Sequence, residues 1–154
     1  MKKQYDEGRV NQIVEQLKEM GHYEKYNHPG IYTISIEDQL VYVGKSMDMA
    51  KRVAEHIVET ENPTNHKYKI LRQAKDEGHS INFDVSYVAT ETEEEKIYDE
   101  IGEEEGNQIR KHFPPLNYQV PKKGNYHSYF VNKKAKVITL EEILNKDITK
   151  YYYF

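Results

Sequence analysis

The sequence predicts an α+β domain in which a β-hairpin, one further strand and several helices share a small core. Three observations carry that prediction. Two β-branched and aromatic runs, "GIYTISI" and "LVYVG", are separated only by a short acidic turn at Glu37 and Asp38, the pattern of a hairpin. Apolar residues recur at helical spacing on both sides of that pair. "INFDVSYV" then alternates with the period of a strand, ahead of a long helical segment closed by Pro114 and Pro115, which cannot continue a helix. At 154 residues the chain suits one compact domain with decorated ends rather than two independent ones.

Taken in order, Val10, Ile13, Val14, Leu17 and Met20 repeat at helical spacing and Gly21 follows as a stop signal, so residues 5–20 are predicted to form an amphipathic helix. A polar connector ending in Pro29 completes an N-terminal segment, residues 1–29. The hairpin opens a central unit, residues 30–117. Within it, residues 47–60 return to helical spacing through Met49, Val53 and Ile57, and residues 66–77 form another helix ending at Gly78. The strand at residues 81–88 and the helix at residues 93–112 follow. Residues 118–154 read as an extension of the same compact unit. In it, "YHSYFV" and "KVIT" are expected to pair across residues 132–135, and the capping-box pattern Thr139 to Glu142 opens a short helix. There is no internal repeat and no Gly/Ser-rich linker.

Composition narrows the chemistry. Charged residues reach 31% and the hydrophobic class only 37%, much of it tyrosine with a polar tip, which implies a small core under a solvated surface. The absence of cysteine excludes a disulfide framework, a thiolate metal site and a thiol nucleophile, and fits a reducing, cytoplasmic setting. No run approaches the roughly 20 apolar residues of a membrane helix, so no membrane partner is expected. The net charge of -4 argues against nucleic acid at first sight, but the charge is segregated. Between Glu91 and Glu105 stand nine acids against the single Lys96. Between Gly106 and Leu140 there are none, beside seven Lys or Arg residues, so a locally positive surface fits on an acidic chain.

Several residues resist an ordinary reading. Arg52 and His56, spaced i and i+4, flank the apolar stripe of their helix and are placed to project into a cleft at its edge, although a surface pair has the same spacing. On the helix at residues 93–112, Ile97, Ile101 and Ile109 share one i+4 row, and Glu105 occupies that row between the last two. A carboxylate there needs a cation, because burying it unpaired costs several kcal/mol. Gly102 and Gly106 weaken the same helix by roughly 1 kcal/mol each relative to Ala. Asn117, after "FPPL", has the form of a turn residue. "YVGKS" ends like a phosphate loop but lacks the first glycine at the required spacing.

These positions form one series: Gly30-Ile31-Tyr32, Tyr42-Val43-Gly44 with Lys45, then Arg52, His56, Glu105 and Asn117. The series resembles the GIY-YIG nuclease superfamily. Lys45, Arg52 and His56 follow Tyr42 by three, ten and fourteen residues, and Asn117 follows Glu105 by twelve, as in repair nucleases of that superfamily. Val43 replaces the usual Ile and keeps a β-branched residue in the strand. "IRKHFPPLN" is similar to the closing signature, and with "LVYVGKS" it looks most like the small DNA-degrading endonucleases of phages. The likeness spans Gly30 to Asn117.

The resemblance implies a three-stranded antiparallel sheet flanked by helices, and a metal-dependent endonuclease of phage, restriction, repair or mobile-element type acting on DNA. Glu105 is then expected to hold one Mg²⁺ or Mn²⁺ ion, a hard cation that accepts one or two carboxylates and keeps several waters. Tyr42 is the first choice of general base, its pKa lowered by Lys45 and the metal, with Tyr32 orienting it or exchanging roles with it. Arg52 would stabilise the phosphate, His56 would bond a tyrosine or relay a proton, and Asn117 would brace the site. Lys122, Lys123, Tyr126, Lys133 and Lys134, with Tyr129 and Phe130, are expected to touch DNA, a solvated loop being the plainer alternative. The rival class is a nucleic-acid-binding or regulatory module that keeps the fold without catalysis. The terminal "YYYF" is expected to dock on its own domain or on a second subunit of a homo-oligomer.

Overall fold

The centre of the fold is the predicted hairpin with a third strand added to it. In the computed structural model, which describes residues 6–145, β1 (Gly30–Ile36) and β2 (Gln39–Ser46) pair antiparallel around the turn at Glu37 and Asp38. β3 (Ile81–Val88) pairs antiparallel with the other side of β1, so the order is β2-β1-β3. β1 is therefore central, and Ile31, Ile34 and Ile36 are wholly buried. Its two faces meet different partners, as strand alternation requires. Tyr32, Ile34 and Ile36 pack with Met49, Val53 and Leu71, whereas Ile31 packs with Val43, Ile97, Ile101 and Ile109. Helices thus cover both sides of the sheet.

Those helices are α3 (Met49–Glu61) and α4 (His66–Asp76) on the first face and α5 (Glu94–His112) on the second. Local sequence starts them where the site needs them. The Asp48 carboxylate accepts from Lys51 N–H at the start of α3, and the Asn65 side chain accepts from Tyr68 N–H at the start of α4. α1 (Glu7–Glu19) is the predicted N-terminal helix, and it packs Val10 and Ile13 on Ala54 and Val58 of α3. The connector after it contains a short helix that the sequence did not announce, α2 (Tyr23–Tyr26). No helix among the described residues is long and apolar enough to cross a membrane.

The C-terminal pairing differs from the expectation. "YHSYFV" lies in β5 (Asn125–Val131), which pairs backward with β4 (Gln119–Lys122) rather than forward with "KVIT". Gly124, at φ 78°, supplies the left-handed residue that the tight connection from Lys123 requires. The expected partner instead enters a 3₁₀ turn, Lys133–Lys136, and buries Ile138, whose carbonyl meets His66 Nε2 at 2.6 Å. α6 (Leu140–Leu144) follows with the predicted capping box intact between Thr139 and Glu142. "YYYF" lies outside the described residues.

The two glycines of α5 have a packing reason. A Cβ at Gly102 would stand 2.7 Å from the Tyr126 ring, and one at Gly106 would stand 3.3 Å from Pro121 Cβ, so the β4–β5 hairpin lies close along this side of the helix. After α5 the chain runs along the outer edge of β2. Leu116 N–H donates to the Val41 carbonyl at 2.9 Å. The Asn117 amide then accepts from Val43 N–H at 2.9 Å and donates to the Val43 carbonyl at 2.8 Å, occupying both outward backbone groups of an edge strand. Asn117→Ala leaves that buried pair unsatisfied and is expected to cost about 2 kcal/mol or more. Urea unfolding measures it. Asn117→Asp, which sets a buried carboxylate oxygen against the Val43 carbonyl, is expected to cost at least as much as Asn117→Ala.

Candidate active site

Because β2 is an edge, the elements covering the two faces of the sheet meet beside it, and between them opens a cleft of about 760 Å³. Tyr32, Tyr42, Lys45, Arg52, Glu105 and Asn117 line it, so six of the seven residues singled out in the sequence converge there. They arrive from different directions. Tyr32 and Tyr42 stand on the α3 face of the hairpin, Arg52 on α3, Lys45 near the end of β2 and Glu105 on α5. Ile101 and Ile109 are buried on either side of a half-buried Glu105, as the i+4 row required.

His56 does not project into the cleft as its spacing suggested. It is wholly buried behind the cleft wall, with Nε2 2.6 Å from the Tyr32 hydroxyl and Nδ1 2.7 Å from the Tyr68 hydroxyl. Burial, and then the charges of Arg52 and Lys67, hold its pKa well below the usual imidazole value. A neutral imidazole has one donor and one acceptor nitrogen, so one tyrosine donates to His56 and the other accepts from it. Tyr68 hydrogen-bonds onward to Glu59, and burial first, then that bond, raise its pKa. The result is a continuous buried file of polar groups from the cleft through Tyr32 and His56 to Tyr68.

The motif glycine of the second triad makes this file possible. Gly44 is the cross-strand partner of Tyr32, and a Cβ there would lie 2.3 Å from the Tyr32 hydroxyl oxygen. Gly30 is equally constrained, since its Cβ would stand 2.1 Å from the Tyr87 carbonyl oxygen. Both glycines therefore mark close approaches rather than flexible points.

The electrostatics differ in one respect from the expectation. Lys45 does not act on Tyr42: its Nζ lies 5.5 Å from the centre of the Tyr126 ring, and its charge and its N–H act on Glu105. Tyr42 is instead raised, by burial and by the charge of Glu105, with Arg52 and a hydrogen bond shared with Tyr32 pulling the other way. Tyr32 is raised well above its ordinary value, chiefly by burial. Lys67, which the sequence did not single out, sits with Nζ 4.2 Å from the Tyr42 ring centre and 4.8 Å from that of Tyr68. Burial, and then Arg52, lower its pKa to about 8. Lys136 also lines the cleft, its Nζ 4.2 Å from the centre of the Tyr118 ring.

Among the described residues Glu105 is the one carboxylate lining the cleft, which it shares with Lys45, Arg52, Lys67 and Lys136. Burial raises its pKa, the interactions with Lys45 offset part of that, and a further cation would favour its charged form. No group of three or more His, Cys, Asp or Glu side chains among the described residues forms a metal cage. One half-buried carboxylate in an open cleft fits a different mode of binding, a hydrated divalent ion that keeps most of its waters.

The basic extension is dispersed. Tyr126 lines the cleft and donates its hydroxyl to the Asp99 carboxylate. Lys122 stands near the Phe130 ring, Lys123 and Lys133 are exposed, and Lys134 is paired with Glu142 at 2.8 Å. Of the lysines in this stretch, Lys136 is the one that reaches the cleft.

Gly44→Ala is expected to push Tyr32 off His56, costing about 1–3 kcal/mol of stability by overpacking, and to move the His56 ring signals in a ¹⁵N-resolved NMR spectrum. Unchanged His56 signals would contradict the role given to this glycine. The chain matches no model of a known protein family, no curated protein and no solved structure.

Proposed function

We propose that this chain is a metal-dependent endonuclease that hydrolyses DNA phosphodiester bonds, organised as a GIY-YIG nuclease. The observation that carries this reading is one cleft holding four cations, five tyrosines, Tyr32 and Tyr42 among them, and a single carboxylate, reached by residues spread from Tyr32 to Lys136. An acidic protein has no structural need to gather Lys45, Arg52, Lys67 and Lys136 around one cavity. A polyanion supplies that need, and the pentavalent phosphate of hydrolysis places further charge on its oxygens. The motif likeness of Gly30 to Asn117 supports the same conclusion independently.

Each residue then has a task. Glu105 would hold Mg²⁺ or Mn²⁺, an ion that supplies Lewis-acid stabilisation of the phosphate and of the leaving oxygen. Arg52 presents a planar guanidinium to phosphate oxygens, its pKa raised because Tyr32, Tyr68, Tyr42 and Glu55 outweigh the cost of burial. Tyr42 faces the cleft and takes the proton of the attacking water: burial and the charge of Glu105 raise its pKa, Arg52 works against that, and a cation held by Glu105 would offset the Glu105 contribution. Tyr32 orients it and is itself fixed by His56. Lys45 orients the Glu105 carboxylate, and Asn117 keeps the strand that carries Tyr42 in register.

The direct test is plasmid nicking on agarose gels with and without Mg²⁺. Glu105→Ala is expected to reduce nicking roughly a hundredfold or more while the circular dichroism spectrum stays native. Full activity in that variant ends the assignment, and retardation of uncut DNA by the wild type identifies a binding module instead. A second expectation concerns pH. Lys67 loses its proton as pH rises through about 8, removing one cation from the cleft. DNA affinity measured in chelator should then fall by roughly fivefold, about 1 kcal/mol, and Lys67→Arg should abolish that step because guanidinium stays charged.

A further inference from the structure

A second groove, of about 540 Å³, lies against the β4–β5 hairpin. Neighbouring cross-strand pairs face opposite ways: Pro121 and Tyr129 line the cleft, while Val120 and Phe130 line this groove. Its rim holds an unusual concentration of exposed apolar surface, with Phe113 at 50%, Phe130 at 57% and Val131 at 45% of full exposure. Cations surround it. Arg110 and Lys133 line it, and Lys122 Nζ stands 5.5 Å from the centre of the Phe130 ring. No acidic residue occurs from Gly106 to Leu140.

Phe113 is also conformationally out of place. It ends α5 at φ 47° and ψ 58°, the left-handed region that a bulky residue rarely adopts and that glycine usually fills at a helix end. The ring gains little from the core in return, since half of it faces solvent. A strained backbone that holds an exposed aromatic ring beside a basic groove is a feature of binding surfaces rather than of folding.

The chemistry selects the occupant. Aromatic rings flanked by Arg and Lys stack a nucleobase and neutralise the adjoining phosphates. A second copy presenting the same face would instead bring Arg110, Lys122 and Lys133 against themselves. We propose that this groove binds an unpaired base of the DNA strand running from the cleft, so that the favoured substrate is single-stranded or gapped near the cut. In an intact duplex both faces of every base are already stacked, and the groove has nothing to receive. The choice of DNA rests on the nuclease reading.

The test uses the full chain in chelator, with a fluorescent duplex carrying a short single-stranded gap and the same duplex intact. Phe113→Gly and Phe130→Ala are each expected to bind the gapped DNA about tenfold more weakly and the intact duplex with unchanged affinity. Phe113→Gly should melt no lower than the wild type, because glycine accepts the left-handed backbone without strain. Equal wild-type affinity for the two DNAs, or equal losses on both, overturns the proposal. So does a shift from oligomer to monomer in Phe130→Ala by sedimentation, which would make the groove a contact between copies. Nicking without gap preference refutes only the groove, whereas gap-selective binding without nicking keeps the groove and refutes the nuclease.

Discussion

An edge strand has to satisfy its outward N–H and C=O groups without a neighbour, and of the two edges of this sheet, β2 and β3, the one beside the cleft is β2. The answer is the segment after α5, where Leu116 and the Asn117 side chain supply the hydrogen bonds that a fourth strand would have made. Because that cover is a short stretch of chain and not a strand, space remains beside β2. The cleft occupies it. A fourth strand would have satisfied the same backbone groups and closed the site, so the form of the edge cover is what gives Tyr42, Lys45 and Glu105 access to a common volume.

Charge is arranged around that space against the overall balance of the chain. The acids of α5 other than Glu105 do not line the cleft, and Glu100 illustrates their use: it accepts hydrogen bonds from the Tyr87 and Thr90 hydroxyls and from the Thr90 and Glu91 N–H groups, tying α5 to the end of β3. Two of the cleft cations rest on aromatic rings, Lys67 on Tyr42 and Lys136 on Tyr118, whereas Arg52 pairs with Glu55 and Lys45 acts on Glu105. An ammonium held by a ring keeps its charge available, whereas one held by a carboxylate is neutralised locally. That distinction lets a chain of net charge -4 present a positive interior surface.

Much of the fold was legible because periodicity is a local signal. The hairpin, the alternating strand, the helices and the capping box at Thr139 all stand where spacing put them. Glu105 was legible for the same reason, as the polar member of an isoleucine row. Tyr68 and Lys67 were not. On α4 a tyrosine followed by Ile70 and Leu71 reads as core, and a lysine beside it reads as solvent-facing; only the packing of α4 on α3 brings them to His56 and Tyr42. The pairing of β5 failed for a comparable reason. The run just before "YHSYFV", Gln119–Lys122 with its Pro121, did not read as a strand, and Gly124 turns the chain back onto it while Ile138 of the expected partner is buried elsewhere. The inferred influence of Lys45 on Tyr42 failed because alternation puts the two side chains on opposite faces of β2.

The file of Tyr32, His56 and Tyr68 belongs at once to the interior and to the cleft. Tyr32 and Tyr68 are among the largest buried side chains, and the imidazole between them has both nitrogens engaged. Loosening the interior therefore releases the cleft in the same event. Such a molecule has little room for a partly melted state that keeps the cleft intact, and loss of the cleft on heating should track global unfolding rather than precede it. The same union restricts divergence: a change in the interior that another α+β domain would absorb silently here reaches the cleft through a single shared ring.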